Sequence, residues 1–201
     1  MALPPAFYFL SFFLLFSPSA LLGHPHPHPH PAGSPQPSSG STLRSTCAPT
    51  RFPADCQRVL SGHLSPSGSP FELAQATISA SLAKADSASQ FVTNALKNHP
   101  PVGREGAALH DCADELSQSL DELSRSLAEI RSSTAAGSAP SRWQLSNVET
   151  WVSAALTNDD TCLDGFRSIE GAIKTAVRSR VTDVARATSN ALYFINRLAS
   201  R

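Results

Sequence analysis

The chain is 201 residues long, and its 16 basic and 16 acidic side chains cancel to a formal charge of zero. A nucleic acid would demand a basic patch to neutralise its phosphates, and the sequence shows none. Four cysteines, all downstream of an apolar leader, point to an oxidising compartment and a disulfide-stapled fold.

Residues 1–23 carry no charged side chain. The apolar runs Ala6–Leu10 and Phe12–Phe16, followed by the small residues Ser17–Ala20, are too short for a comfortable membrane span. They read as a secretory signal peptide cleaved between Ala20 and His24. An uncleaved anchor is the alternative, because no Lys or Arg precedes the apolar core. No later stretch reaches spanning length, so no membrane association is expected after cleavage. No Asn-x-Ser/Thr acceptor invites N-glycosylation.

Residues 24–41 open with a His-Pro alternation from His24 to Pro31 and continue in Gly, Ser, Pro and Gln. Alternate prolines lock φ and remove donors, so an extended, solvated tether is expected. Its histidines at i, i+2 could hold a metal weakly, but no carboxylate or cysteine completes a shell. No metal or cofactor is expected.

Residues 42–66 contain Cys47 and Cys56 around Pro49 and Pro53, and residues 69–201 offer four amphipathic stretches separated by breakers. The first begins Ser69-Pro70-Phe71-Glu72, a capping box with proline at the first helical position. It carries Phe71, Ala74, Ile78, Leu82, Ala85, Val92 and Leu96 until His99-Pro100-Pro101 stops it. The second places Leu109, Ala113, Leu116, Leu120, Leu123, Leu127 and Ile130 in alternating steps of four and three, and the run from Ser132 to Pro140 breaks it.

The third opens at Ser141-Arg142-Trp143-Gln144, again a capping-box pattern. Its seam runs Leu145, Val148, Val152, Ala155, Cys162, Phe166 and Ile169, with polar Asp159 in one register position. The fourth carries Ile173, Val177, Val181, Val184, Thr188, Ala191, Ile195 and Leu198. No strand pattern competes. Long helices with short connections imply antiparallel neighbours, so the expected fold is all-α: an up-down-up-down four-helix bundle preceded by a short helical hairpin.

If the second and third helices turn at Gly137, Cys112 and Cys162 stand equally far from the turn and come level with one another. That leaves Cys47 for Cys56, whose small loop would shape the preceding hairpin.

A search for chemistry finds no convergent set. Outside the tether the histidines are His63, His99 and His110, without HExxH or paired spacing. His110-Asp111 beside serines imitates part of a triad, but no GxSxG and no Gly-rich phosphate loop occur. Catalysis is not expected. The distinctive remainder is polar. Asp114, Gln118 and Asp121 line a stripe opposite the leucine seam of the second helix, and Thr157, Asp160, Thr161 and Asp164 point away from the seam of the third. Such stripes are either ordinary solvated faces or an acidic, hydrogen-bonding surface for a partner.

Four local sequences carry a family resemblance. Thr46-Cys47-Ala48-Pro49-Thr50-Arg51-Phe52-Pro53-Ala54-Asp55-Cys56 resembles the N-terminal signature of the plant invertase/pectin methylesterase inhibitor family. The segments Ala108–Leu116, Val148–Phe166 and Ser189-Asn190-Ala191-Leu192 are similar to its later motifs, so the resemblance runs from Leu43 to Leu198. It implies a four-helix bundle with an N-terminal hairpin and bridges Cys47–Cys56 and Cys112–Cys162, which agrees with the helix geometry.

The Pro-Lys-Phe motif associated with invertase contact is absent, and the stretch from Arg142 to Cys162 resembles stand-alone pectin methylesterase inhibitors. A related bundle forms the pro-region of some pectin methylesterases, an arrangement not expected here because no catalytic segment follows Arg201. The resemblance thus implies a secreted cell-wall protein that forms a stoichiometric complex with pectin methylesterase and covers its pectin-binding cleft. The expected contacts are Asp114, Gln118, Asp121, Thr161 and Asp164, with Gln118 departing from the acidic choice of the family. Inhibition of an invertase is the alternative. A helical ligand carrier, which needs a continuous apolar cavity, stands behind it.

Overall fold

The computed structural model describes residues 39–62, 68–98, 102–135 and 137–200. The signal-peptide segment, the His-Pro tract, His63 and His99 lie outside the described residues. Among the described residues there are six helices and no strand: α1 Ser39–Cys47, α2 Pro53–Leu60, α3 Pro70–Asn98, α4 Gly103–Ala135, α5 Arg142–Gly165 and α6 Ala172–Ala199.

The helix starts follow from local chemistry. At α3 the Ser69 N–H donates to Glu72 Oε2 at 2.7 Å, and the Glu72 N–H donates to Ser69 Oγ at 3.2 Å. At α5 the Ser141 N–H donates to Gln144 Oε1 at 2.9 Å and the Gln144 N–H to Ser141 Oγ at 3.2 Å. Both capping boxes satisfy donors that a helix start leaves orphaned. At the far end of α4, Gly137 takes φ 69° and the Ser138 N–H reaches back to the Ser133 carbonyl at 3.2 Å, which closes the helix in Schellman fashion.

Three boundaries differ from the sequence expectation. α1 begins at Ser39, inside the stretch assigned to the tether. The last proline of that stretch is Pro37, and nothing from Ser39 to Thr42 forbids a helix. α4 continues through Ser132 to Ala135, because the Ser132 and Ser133 hydroxyls bond back to the Glu129 carbonyl at 2.8 and 3.2 Å instead of breaking the helix. α5 ends at Gly165, so Phe166 and Ile169 reach the core from a turn. Their N–H groups bond three residues back, to the carbonyls of Leu163 and Phe166, both at 3.3 Å.

The four long helices form a ring in which α3 touches α4 and α6, and α5 touches α4 and α6, while no close backbone contact joins the two diagonal pairs. Contacts fix the directions. Cys112 is bonded to Cys162, and Ser119 reaches the Ala155 carbonyl, so α4 and α5 run antiparallel. Arg180 of α6 lies over Phe91 of α3, and Arg197 stands beside Leu73 at the other end, so these two are also antiparallel. Arg178 lies near Asp164 and Ala199 near Ser146, which opposes α5 and α6 in turn and leaves α3 opposed to α4.

The interior is filled by the expected seams. Leu109, Leu116, Leu123 and Ile130 of α4 meet Val148, Val152 and Ala155 of α5 and Val177, Val181, Val184 and Ile195 of α6, all of them buried. Full burial of each Leu, Ile or Val contributes about 2 kcal/mol against the entropy of ordering the chain. Ala74, Ala85 and Ala88 give α3 a small-residue core face. The expected bridges are both present, Cys47–Cys56 with Cα atoms 5.7 Å apart and Cys112–Cys162 with Cα atoms 4.4 Å apart.

The hairpin of α1 and α2 joins the same core through Cys47, Cys56 and Leu60. Asn190 of α6 holds it by one residue. The Phe52 N–H donates to Asn190 Oδ1 at 3.2 Å, and Asn190 Nδ2 donates to the Phe52 carbonyl at 2.9 Å.

Candidate functional site

The outward surface of α4 and α5 is set by how tightly these two helices are joined. The Cys112–Cys162 bridge is buried at one level of the seam. About two turns further along α4, Ser119 Oγ lies 3.1 Å from the Ala155 carbonyl and 3.0 Å from Asp159 Oδ1. Nearer the surface, Asn158 Nδ2 donates to Glu122 Oε2 at 3.0 Å. Because the register is held at three points, side chains on the outward face keep fixed relative positions.

All five sequence-predicted contact residues reach solvent. Asp114, Gln118 and Asp121 are exposed on α4 at i, i+4, i+7, and Thr161 and Asp164 are exposed on α5. Running antiparallel brings Asp114 to the level of Thr161 and Asp164, beside the bridge. Asp121 lies deeper along the pair, toward Asn158. Thr161 Oγ1 donates to the Thr157 carbonyl at 2.8 Å, which leaves its lone pairs as outward acceptors. Asp164 is paired with Arg167 at 2.7 Å, with both side chains exposed. A partner's cation would therefore compete with Arg167 for that carboxylate.

Two residues on this face were not singled out from the sequence. Glu122 and Asn158 are half-buried in the α4–α5 groove and bonded to each other. Burial pushes the Glu122 carboxyl above its ordinary range, Arg125 opposes this, and the neighbouring charges of Asp121 and Glu115 add to it. The helical wheel places Glu115 and Glu122 on one flank, but only the pairing of α4 with α5 shows that this flank borders a groove.

Asp159, which occupies a core position of the α5 seam, is fully buried. Ser119 of α4 faces its Oδ1, and Thr188 of α6 faces its Oδ2 at 3.2 Å while lying 3.0 Å from the Val184 carbonyl. Desolvation raises this carboxyl to about 7, and the two hydroxyls only partly offset it. A neutral acid suits the pocket, since it can donate to one hydroxyl and leave that hydroxyl free to serve a backbone carbonyl.

No group of three or more His, Cys, Asp or Glu placed to hold a metal ion is found among the described residues. What the face presents is a row of carboxylate and hydroxyl acceptors on a rigid two-helix platform. Such a surface is suited to a partner rich in donors, and it lacks a paired nucleophile and base.

Comparison with known proteins extends this picture. The family model for "Plant invertase/pectin methylesterase inhibitor" matches residues 41–194. Over 160 residues the chain is 43% identical to "Pectinesterase inhibitor 3" of Arabidopsis thaliana, covering 78% of each chain. A "21 kDa protein" of Daucus carota is 39% identical over 162 residues, covering 79% of this chain and 84% of that protein. The crystal structure of a mutant form of a pectin methylesterase inhibitor from Arabidopsis superposes with a TM-score of 0.64 at 21% identity, covering 77% of this chain and 95% of that one, and shares the fold.

Proposed function

The chain belongs to the plant invertase/pectin methylesterase inhibitor family, and from that premise we propose that it is a secreted inhibitor of pectin methylesterase. The observation that carries the choice of target is the 43% identity, across most of the bundle, to a protein named as a pectinesterase inhibitor. In this reading residues 1–23 are the signal peptide, residues 24–38 a tether, and residues 39–66 and 69–201 the inhibitor proper. The protein acts in the cell wall, contributes no catalytic group, and covers the enzyme's substrate cleft in a stoichiometric complex.

The α4–α5 face is the surface proposed to dock. Its carboxylates stand on a platform that does not have to reorganise on binding, which reduces the entropy lost in forming a complex. Asp114, Gln118, Asp121 and Thr161 are proposed as direct contacts, and Asp164 as a contact that exchanges Arg167 for a donor on the enzyme.

The test is to titrate purified, disulfide-bonded protein into a pectin methylesterase and, separately, into a cell-wall invertase. Esterase activity should fall linearly to an end point at equimolar inhibitor. Inhibition of the invertase with the esterase unaffected would overturn the assignment, and inactivity toward several enzymes of both kinds would favour a ligand carrier. Replacing Asp114→Asn together with Asp121→Asn should weaken inhibition about tenfold, since charged contacts at such interfaces are typically worth about 1–3 kcal/mol, with helicity unchanged. Undiminished inhibition by that variant would remove both residues from the contact surface.

A further inference from the structure

The zero net charge conceals a strong separation. Of the 16 acidic residues, 11 fall between residues 103 and 165, together with only four of the 16 basic ones. That stretch is α4 and α5. Across the ring, α6 carries Lys174, Arg178, Arg180, Arg186 and Arg197 against a single acid, Asp183. α6 is diagonal to α4 and borders α5, where Arg178 lines a hollow with Asp160 and Asp164, so the basic row is separated from the acids of α4 and meets those of α5 at one end. The absence of a basic patch expected from the sequence is therefore corrected by the fold: the patch is assembled along one helix.

The basic face is a row. Lys174, Arg178, Thr182 and Arg186 stand four residues apart and line one shallow hollow with Ser179 and Asp183. From first to last the row spans about 18 Å along the helix. Its guanidiniums are available. Arg178 is exposed, and no hydrogen bond, ion pair or ring contact engages it among the described residues. Arg186 and Arg51 both rest against Phe52, 5.6 and 5.5 Å from the ring centroid, a contact that leaves guanidinium edges free to take carboxylates. Lys174 is the tethered member, donating to Glu170 at 3.2 Å and to the Arg167 carbonyl at 3.3 Å. The hydroxyls of Ser179 and Thr182 stand between the charges.

We propose that this face of α6 docks a linear polycarboxylate: the uronic-acid polymer that pectin methylesterase leaves when it hydrolyses methyl esters to carboxylates and methanol. The choice of polymer rests on the proposed function, and the charge complementarity does not. A straight row of cations interleaved with hydroxyls matches a chain carrying carboxylates and ring hydroxyls. A globular acidic partner would need a broad patch. Because the row lies on the helix diagonal to α4, one molecule can hold the polymer while the Asp114–Asp121 stripe of α4 engages the enzyme. The inhibitor would then concentrate where de-esterified polymer, and hence active enzyme, has accumulated.

The experiment measures binding of the disulfide-bonded protein to immobilised polygalacturonate and to fully methyl-esterified pectin, with no enzyme present. The expected result is binding to the acidic polymer alone, declining as ionic strength rises past about 0.15 M. Arg178→Glu with Arg186→Glu should weaken it about tenfold or more through the loss of local attraction. Arg44→Glu with Lys97→Glu changes net charge equally off the row and should leave it nearly intact. Circular dichroism checks folding, and Arg178→Gln alone, at an exposed position, should show a smaller loss if the double variant unfolds. No binding by the unaltered protein, equal binding to the esterified polymer, equal loss in both double variants, or self-assembly of copies instead of polymer capture would each overturn the proposal. Because the readout omits the enzyme, its failure leaves inhibition standing, and a failure of inhibition leaves polymer binding standing.

Discussion

Helices α4 and α5 are joined covalently through Cys112–Cys162 and again by Ser119 and Asn158 across their seam. α3 and α6 meet through small apolar side chains and a contact in which the Arg180 guanidinium sits 3.9 Å from the centroid of Phe91. The first pair carries 11 of the 16 acids, and α6 of the second carries five bases against one acid. The difference teaches that the bundle is one packed core with two kinds of surface. The pair that carries the exposed carboxylates is cross-linked, and the pair that carries the arginine and lysine row relies on packing.

Removing the cross-link should break this contrast most strongly. Cys112→Ala with Cys162→Ala opens a loop of 50 residues and should lower stability by about 4 kcal/mol in the chain-entropy model. The loop of 9 residues closed by Cys47–Cys56 should contribute about 2.5 kcal/mol on the same basis. Guanidinium denaturation of the two double variants measures both. Equal losses, or a larger loss from the short loop, would show that the α4–α5 pair owes no special rigidity to its bridge.

The two pairs also share one polar joint, and pH should act through it. Asp159 of α5 faces Ser119 on one side and Thr188 of α6 on the other. Its folded carboxyl lies at about 7 against an ordinary 3.8. A folded pKa above the unfolded one means that the folded state binds the proton more tightly. Stability is therefore full below the unfolded value, falls as pH rises between the two, and levels off above the folded value, with a total loss of about 4 kcal/mol. The protein should thus be more stable in a mildly acidic medium than in a neutral or alkaline one. Asp159→Asn, which keeps one donor and one acceptor, should flatten the profile and exceed the unaltered protein in denaturation midpoint at about pH 8. An unaltered protein as stable at about pH 8 as at about pH 5 would contradict the assignment.

Much of the fold was legible in the sequence because it rests on local rules. The leucine steps of α4, the capping boxes at Ser69 and Ser141 and the turn at Gly137 each declare themselves within a few residues. Equal spacing about Gly137 was enough to pair Cys112 with Cys162. The exposure of Asp114, Gln118, Asp121, Thr161 and Asp164 followed from helical angles alone. What was not legible depends on contacts between helices. Asp159 looked like a polar interruption because its partners lie 40 and 29 residues away on other helices. Glu122 and Asn158 become a groove only when α4 meets α5. The basic row was hidden in a composition that sums charge over the whole chain, although the four-residue spacing of Lys174, Arg178 and Arg186 already puts them on one helical face.

The smallest effect concerns how the N-terminal hairpin is attached. Phe52 directs both its N–H and its carbonyl to the side-chain amide of Asn190, which is nearly fully buried on α6. Asn190→Ala removes both bonds at once and should cost about 1–2 kcal/mol, because the Phe52 N–H and carbonyl lose their partners in a partly buried setting. The loss should be local. Cys47, Cys56 and Leu60 still pack against the core, so the bundle should keep most of its denaturation midpoint while amide exchange accelerates across residues 39–60. Asn190→Asp keeps the acceptor for the Phe52 N–H but loses the donor to its carbonyl, and should fall between the two. If Asn190→Ala lowered the midpoint as much as loss of Cys112–Cys162, the hairpin would be part of the cooperative core. The two surfaces of the bundle would then share a third structural support on α6.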